Sequence, residues 1–317
     1  MRHLNLNTES QSHKMQGNTE LNEKRCASVP LYSSIKFRQA KNRAFHISVC
    51  VLSGLTMLPL FLILGELLRK GYKQFNLSLF LETAPTSMDA MLAKISGEAI
   101  PGGILNGITG SVLMIVMAIL IAIPTGILAG IYLSEKAESR LVSIIRYLTD
   151  LLQGIPSIVI GILAYAWIVK PLHGYSALAG SVALAMMMMP LVIRSTEETL
   201  KMLPGTLKEA GLALGASYTN VILRVMLPSA FGGLFTGTLL AISRMLGETA
   251  PLMLTALGAT AVNWNVTQPT SAIPLLVWEF YNDPNLADLV WASSLLLLLF
   301  ILSLNMIAKY IAAKWRI

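Results

Sequence analysis

Residues 194–228 read RSTEETLKMLPGTLKEAGLALGASYTNVILRVMLP. The stretch is cationic and mostly polar, and it interrupts two long apolar runs. Glu209-Ala210-Gly211 is followed after three residues by Gly215, and after nine more by Val225-Met226-Leu227-Pro228. Ala210, Gly211, Ala213 and Ala216 are small enough for another backbone to come close. Gly215 lacks a Cβ and can turn the chain between two short helices. Pro228 cannot donate a mid-helix hydrogen bond but suits the first turn of a following helix. Glu209 can make a charged contact or cap its own helix. The spacing predicts a stiff helix–turn–helix elbow set between two membrane spans.

Outward from the elbow the chain is a membrane sequence. Apolar residues make up 54% and charged residues 13%, against roughly 25% charged in an ordinary soluble domain. Charge-free runs at 47–65, 108–133, 151–169, 171–193, 225–243 and 289–308 each approach the ~20 residues that cross a hydrocarbon core as a helix. Helices are required because no water is available there to satisfy the backbone. We read an all-α integral membrane protein with six spans: 44–68, then about 108–133, 148–169, 175–193, 229–260 and 288–310. Polar Asn263, Asn265, Thr267 and Gln268 end the fifth of them.

Lys and Arg set the orientation. Residues 1–43, 134–147, 194–228 and the end from Lys309 hold 18 of them, and the alternate loops five. Both termini and the elbow are therefore expected to face the cytoplasm, with 69–107 as an extracytoplasmic loop. The net charge of +7 follows from this bias. No aromatic interleaving points to nucleic acid. Residues 1–43 form a basic tail, expected to be largely disordered, with 34–43 beside the lipid headgroups. Cys26 and Cys50 make neither a disulfide framework nor a metal set, and Met186–Met189 point around the whole helix. The four histidines pair with no Ser or carboxylate at catalytic spacing. No G-x-x-x-x-G-K-[S/T] loop is present, so this chain is not expected to bind or hydrolyse ATP.

The charged residues beyond the elbow are the candidates for a transport path. Arg244 lies 16 residues past Pro228, roughly 24 Å along a helix in a layer about 30 Å thick. Facing lipid it costs about 2.5–3.5 kcal/mol on insertion scales, so it must face protein or water. Glu248, four residues on, can share its helix face. Either the two neutralise each other and hold the bundle, or Arg244 offers charge to a passing anion and Glu248 shields it. A guanidinium suits a tetrahedral oxyanion because it donates two parallel hydrogen bonds. Arg194 and Asp150 sit at span ends, where snorkelling accounts for them.

The elbow's E-A-G, three residues, G, nine residues, V-x-L-P resembles the EAA signature of ABC-importer permeases, with Gly211 for the second Ala and Val225 for Ile. The resemblance sharpens at Arg244-Met245-Leu246-Gly247-Glu248-Thr249-Ala250-Pro251, at Gln153–Gly161 (QGIPSIVIG), at Arg194-Ser195-Thr196-Glu197-Glu198, and at Trp291-Ala292 with Asn305. Over roughly 45–312 the chain looks like the PstA-type permease subunits of phosphate ABC importers. The resemblance implies a type I ABC importer permease architecture, with residues 108–312 as the permease core, in a bacterial inner membrane. It implies a heterodimer with a second permease, an ATPase dimer that holds ATP-Mg, and an extracytoplasmic phosphate-binding protein. Glu209, Ala210, Gly211, Gly215, Leu227 and Pro228 would couple to the ATPase, and Arg244, Glu248 and Arg194 would line the path. Composition and spacing alone leave open another oxyanion (sulfate or molybdate), an ion-coupled secondary transporter with Glu248 as the proton site, and a scaffold that carries nothing.

Overall fold

A computed structural model of the protein describes residues 31–98, 100–136 and 139–314. For the tail expected to be disordered over 1–43, residues 1–30, with Cys26, lie outside them, and 31–43 are instead helical, running with no proline or glycine into the first apolar run. The chain divides into two compact units, Met1–Gly65 and Glu66–Ile317. The first contains most of α1 (Leu31–Gly71), a helix interrupted by no break at Pro59. Its apolar residues from Phe37 to Ile63 are exposed almost throughout.

The second unit is helical. After α2 (Ser78–Leu81) and α3 (Ser87–Ser96) come α4 (Leu105–Glu135), α5 (Arg140–Gly154), α6 (Ser157–Ala164, running through a π-helical stretch to Leu172) and α7 (Ala177–Lys201). Then follow α8 (Gly205–Ala213), α9 (Tyr218–Val221), α10 (Leu227–Met245), α11 (Ala250–Thr255), α12 (Ile273–Asn282) and α13 (Ala287–Lys314). A capping box starts α3: Asp89 N–H donates to Thr86 Oγ1, and the Thr86 N–H to Asp89. Among the described residues five helices are long and apolar enough to cross a membrane, and α5 with α6, bent by 105°, passes the same test as a pair, as a broken span or a re-entrant loop would.

Three segments further along the chain also depart from the sequence reading. The passage expected at 148–169 is broken at Ile155–Pro156, where Ile155 is extended (φ −73°, ψ 132°). A residue before proline is pushed out of the α region by the ring. The span expected over 229–260 ends at Met245, and a short α11 resumes at Ala250 with Pro251 in its first turn. The helix expected to end at 193 continues to Lys201. Its polar end is held by charged pairs one turn apart, Arg194 with Glu198 and Glu197 with Lys201.

The core lies between α4 and α7, where Met114, Ala118, Ala122, Leu184, Met188 and Val192 are buried together with Met245 and Leu252. Small residues bring the helices close, as in membrane bundles generally. A Cβ on Gly126 would stand 2.8 Å from Val192, one on Gly130 2.7 Å from Thr196 Cγ2, and one on Gly180 2.7 Å from the Met114 sulfur. Polar groups tie the 256–272 loop to the start of α4. Asn106 donates to Ala259 O (2.7 Å) and accepts from the Ala84 N–H (3.2 Å), and Ser111 accepts from the Ile273 N–H (2.9 Å).

Candidate functional site

The extended α7 packs against α10, and α13 packs on α10 as well. Ser243 Oγ donates to Asn305 Oδ1 across the latter contact (3.3 Å). Between these helices and the end of α5 lies a cavity of about 1010 Å³. Gly233 and Gly237 form part of its wall, and a Cβ on either would collide with Thr199 or Ser195 of α7. The cavity therefore exists where small residues let two helix backbones converge.

Three cations reach this cavity from three helices: Arg194 from α7, Arg244 from α10 and Lys309 from α13. Glu198 is the one carboxylate in the wall among the described residues. Arg194 Nε donates to Glu198 Oε1 at 2.9 Å, and its Nη1 stands 4.0 Å from Glu197. Arg244 approaches Glu248 only loosely, Nε to Oε1 at 3.9 Å, beyond hydrogen-bonding distance. Its side chain is 55% exposed and that of Glu248 19%. Among the described residues the Arg244 side chain makes no hydrogen bond and Lys309 no ion pair. Two of the three cations thus keep their donors free for a ligand. Arg194 and Arg244 meet in one cavity, whereas Glu248 sits in the break after α10 and lines none of it. Lys309 was not singled out by the sequence reading, which counted it with the basic C-terminal end. Only the packing of α13 on α10 carries it inward.

At the elbow, Gly205–Ala213 and Tyr218–Met226 form two helical arms joined through Gly215, whose φ is +79° with no neighbour within 4 Å of where a Cβ would stand. Glycine is required there by conformation, not by space. At Gly211 the limit is space: a Cβ on it would stand 3.0 Å from Val221 Cγ2, a tight fit, and the Gly that replaces the signature's second Ala lets one arm rest closely on the other. Glu209 and Ala210 are exposed, as are the apolar Leu212 and Leu214, the latter by 89%. Pro228 occupies the first turn of α10, and Leu227 starts it. Ile222–Met226 is π-helical, a form that concentrates at functional sites.

A further group escaped the sequence reading. Glu197, on the buried face of α7, is 2% exposed and accepts from Arg146 Nε of α5 at 2.7 Å and from Lys201 at 2.5 Å. Arg146 also donates to the Leu133 carbonyl near the end of α4 (3.2 Å). Charge at 197 was visible, but its partner lies 51 positions away.

A bundle of membrane-length helices, a cationic cavity between them and an exposed elbow at one end define a membrane transport subunit. The chain belongs to the family of binding-protein-dependent transport system inner membrane components, whose profile matches residues 122–317. Among its relatives, the phosphate transport system permease protein PstA of Pasteurella multocida is 40% identical over 250 residues, covering 78% of this chain and 85% of the relative. That of Yersinia pestis is 38% identical over 291 residues, covering 90% and 95%. An inward-facing structure of the MetNI methionine ABC transporter superposes with a TM-score of 0.54 at 19% identity, over 66% of this chain and 93% of that one. That likeness places the fold among type I ABC importer permeases. The chain is a multi-span membrane component of an ABC transporter.

Proposed function

We propose that this chain is a permease subunit of an ATP-driven importer of inorganic phosphate. The observation that carries the reading is the meeting of Arg194, Arg244 and Lys309 in one cavity with Glu198, an excess of two positive charges. Hydrogen phosphate, a dianion with oxygens in tetrahedral array, matches that charge, and its oxygens suit guanidinium donors. The relatives in Pasteurella and Yersinia carry phosphate transport in their names.

In this reading both termini and the elbow face the cytoplasm of a bacterial inner membrane, on the side richer in Lys and Arg. Leu212, Leu214 and the small Ala210 dock into an ATPase subunit, with Glu209 at the rim. That subunit, one of a pair, holds ATP-Mg and hydrolyses it. A second permease completes the path, and a binding protein delivers phosphate from outside. When the ATPases close, the elbow moves with them. Helices α7 and α10 leave the elbow in opposite directions along the chain, so its displacement tilts the two cavity walls together. Arg244 and Lys309 meet the anion with unoccupied donors. Arg194 exchanges Glu198 for it.

The test is uptake of labelled phosphate into proteoliposomes holding the full complex. ATP-dependent uptake, lost in Arg244→Ala while the ATPase still co-purifies, is the expected result. Uptake outcompeted by sulfate or molybdate ends the phosphate assignment. Uptake that persists without ATP and collapses with an uncoupler replaces the mechanism with an ion-coupled one.

A further inference from the structure

We propose that Glu135 is a positioning residue that pins both arms of the elbow to the transmembrane bundle, so that the elbow's motion drives α4 and the cavity wall instead of being lost in local rocking. The inference rests on the reading of the elbow as the ATPase contact. Glu135 is the last residue of α4, and its side chain is 10% exposed. One of its oxygens, Oε2, accepts from Lys208 Nζ on α8 and from the Tyr218 hydroxyl at the start of α9. The Lys208 ammonium also lies over the Tyr218 ring, 4.8 Å from its centroid. Lys208 and Tyr218 stand on either side of Gly215. A single carboxylate thus closes the elbow across its own turn and ties it to a helix 73 and 83 positions earlier.

The need for such a pin follows from what the first arm lacks. Helix α8 spans nine residues and buries none of them. An isolated helix of this length is marginal in water, and beyond the approach of Gly211 to Val221 little apolar contact fixes its direction. The second arm differs: Val221, Ile222 and Met226 are buried with Leu200, Ala230 and Leu234. Force applied at Glu209 and Ala210 therefore enters the arm with the weaker apolar anchorage. From Glu135 it passes into α4, which grips α7 through the close approaches at Gly126 and Gly130, and α7 carries Arg194 into the cavity. Glu135 beside it raises the Lys208 pKa above the ordinary 10.5. Lys208 therefore stays charged at any physiological pH, and the pin is not opened by loss of its proton.

The experiment uses the complete complex in proteoliposomes and measures ATP hydrolysed and phosphate imported in the same sample. Glu135→Gln and Lys208→Met are expected to keep the ATPase bound and hydrolysing while phosphate moved per ATP falls by about fivefold or more, the scale of ordinary coupling between sites. The charge swap Glu135→Lys with Lys208→Glu restores most of the ratio, which a merely structural defect would not allow. A second readout does not depend on the cargo. In a background with Cys26 and Cys50 replaced by Ser, spin labels at Ser134→Cys and Thr206→Cys report the α4–α8 distance. It stays narrow with and without nucleotide in the parent and broadens in Glu135→Gln. An unchanged transport ratio and an unchanged distance in Glu135→Gln overturn the pin. A parent complex that hydrolyses ATP without importing phosphate, yet shows the broadening in Glu135→Gln, overturns the phosphate reading and supports the pin.

Discussion

Replacing Arg146 by Met should destabilise the protein well beyond what a surface ion pair can. Glu197 is 2% exposed and Arg146 27%, with Arg146 Nη2 at 2.6 Å and Nε at 2.7 Å from Oε1. Glu197 Oε2 is buried without a hydrogen-bond partner among the described residues. The carboxylate is desolvated and depends on its cations. Removing one partner of a buried pair costs about 3–5 kcal/mol. Lys201 remains at 2.5 Å and water reaches part of the arginine site, so the expected cost falls to about 2–3 kcal/mol. Met fills the volume of the lost stem and limits the packing loss. Glu197→Gln should cost less, because it removes the desolvated charge itself and the cations it leaves, Arg146 and Lys201, both reach water. The double variant should cost less than the two single ones together, by about 0.5–3 kcal/mol of coupling. Reversible unfolding in lipid nanodiscs, with all four corners of the cycle on one protein preparation, measures this. A loss under ~0.5 kcal/mol for Arg146→Met, with no coupling, is what an exposed pair gives, and it would refute the claim that Glu197 is a desolvated hub.

Three further outcomes follow from the geometry. Lys309→Met should weaken phosphate uptake with the ATPase still bound, and Lys309→Arg should recover most of it; equal uptake in all three removes Lys309 from the path. Gly215→Ala forces a φ of +79° onto a residue with a Cβ, a strain of about 1–2 kcal/mol, and should reduce ATPase co-purification while leaving the spans inserted. Burial holds the Glu279 carboxyl above its ordinary 4.5. The folded state then keeps a proton that the unfolded state releases, so stability is full below pH 4.5 and falls as pH rises to the elevated folded value. Glu279→Gln should therefore be more stable than the parent at pH 7 and no more stable in acid; denaturation profiles that run parallel at both pH values contradict this.

The spans could be read from the sequence wherever charge is absent for a helix length, as at 108–133. There the bilayer selects one structure, and hydropathy reports it. The reading weakened where a polar environment or a proline takes over. The end of α7 was placed at 193 because Arg194 opens a charged stretch. Yet Arg194, Glu197, Glu198 and Lys201 stand at helical spacing and pair with one another, a pattern present in the sequence and not weighed there. Pro156 and Pro251 were visible, but whether a proline kinks a span or divides it depends on the packing around it. The elbow's Gly215 was legible because glycine's one distinctive property is conformational. Lys309, Glu135 and the Arg146 pair were not, since each acquires its meaning from a helix 50 or more positions away, and no local pattern records such a meeting.

The unbroken run of α7 from the core to Lys201 has one more consequence. Under the proposed function, a rigid rod that holds Arg194 in the cavity and leads through Lys201 to the elbow works only in a fixed angular phase, like a cam on its shaft. Each residue turns an α-helix by about 100° and lengthens it by about 1.5 Å. Inserting a single alanine between Arg194 and Lys201 would keep every native residue yet aim the drive end about 100° astray. Inserting four would bring it back to within about 40°. What this segment must preserve is its count of residues, more strictly than their kind.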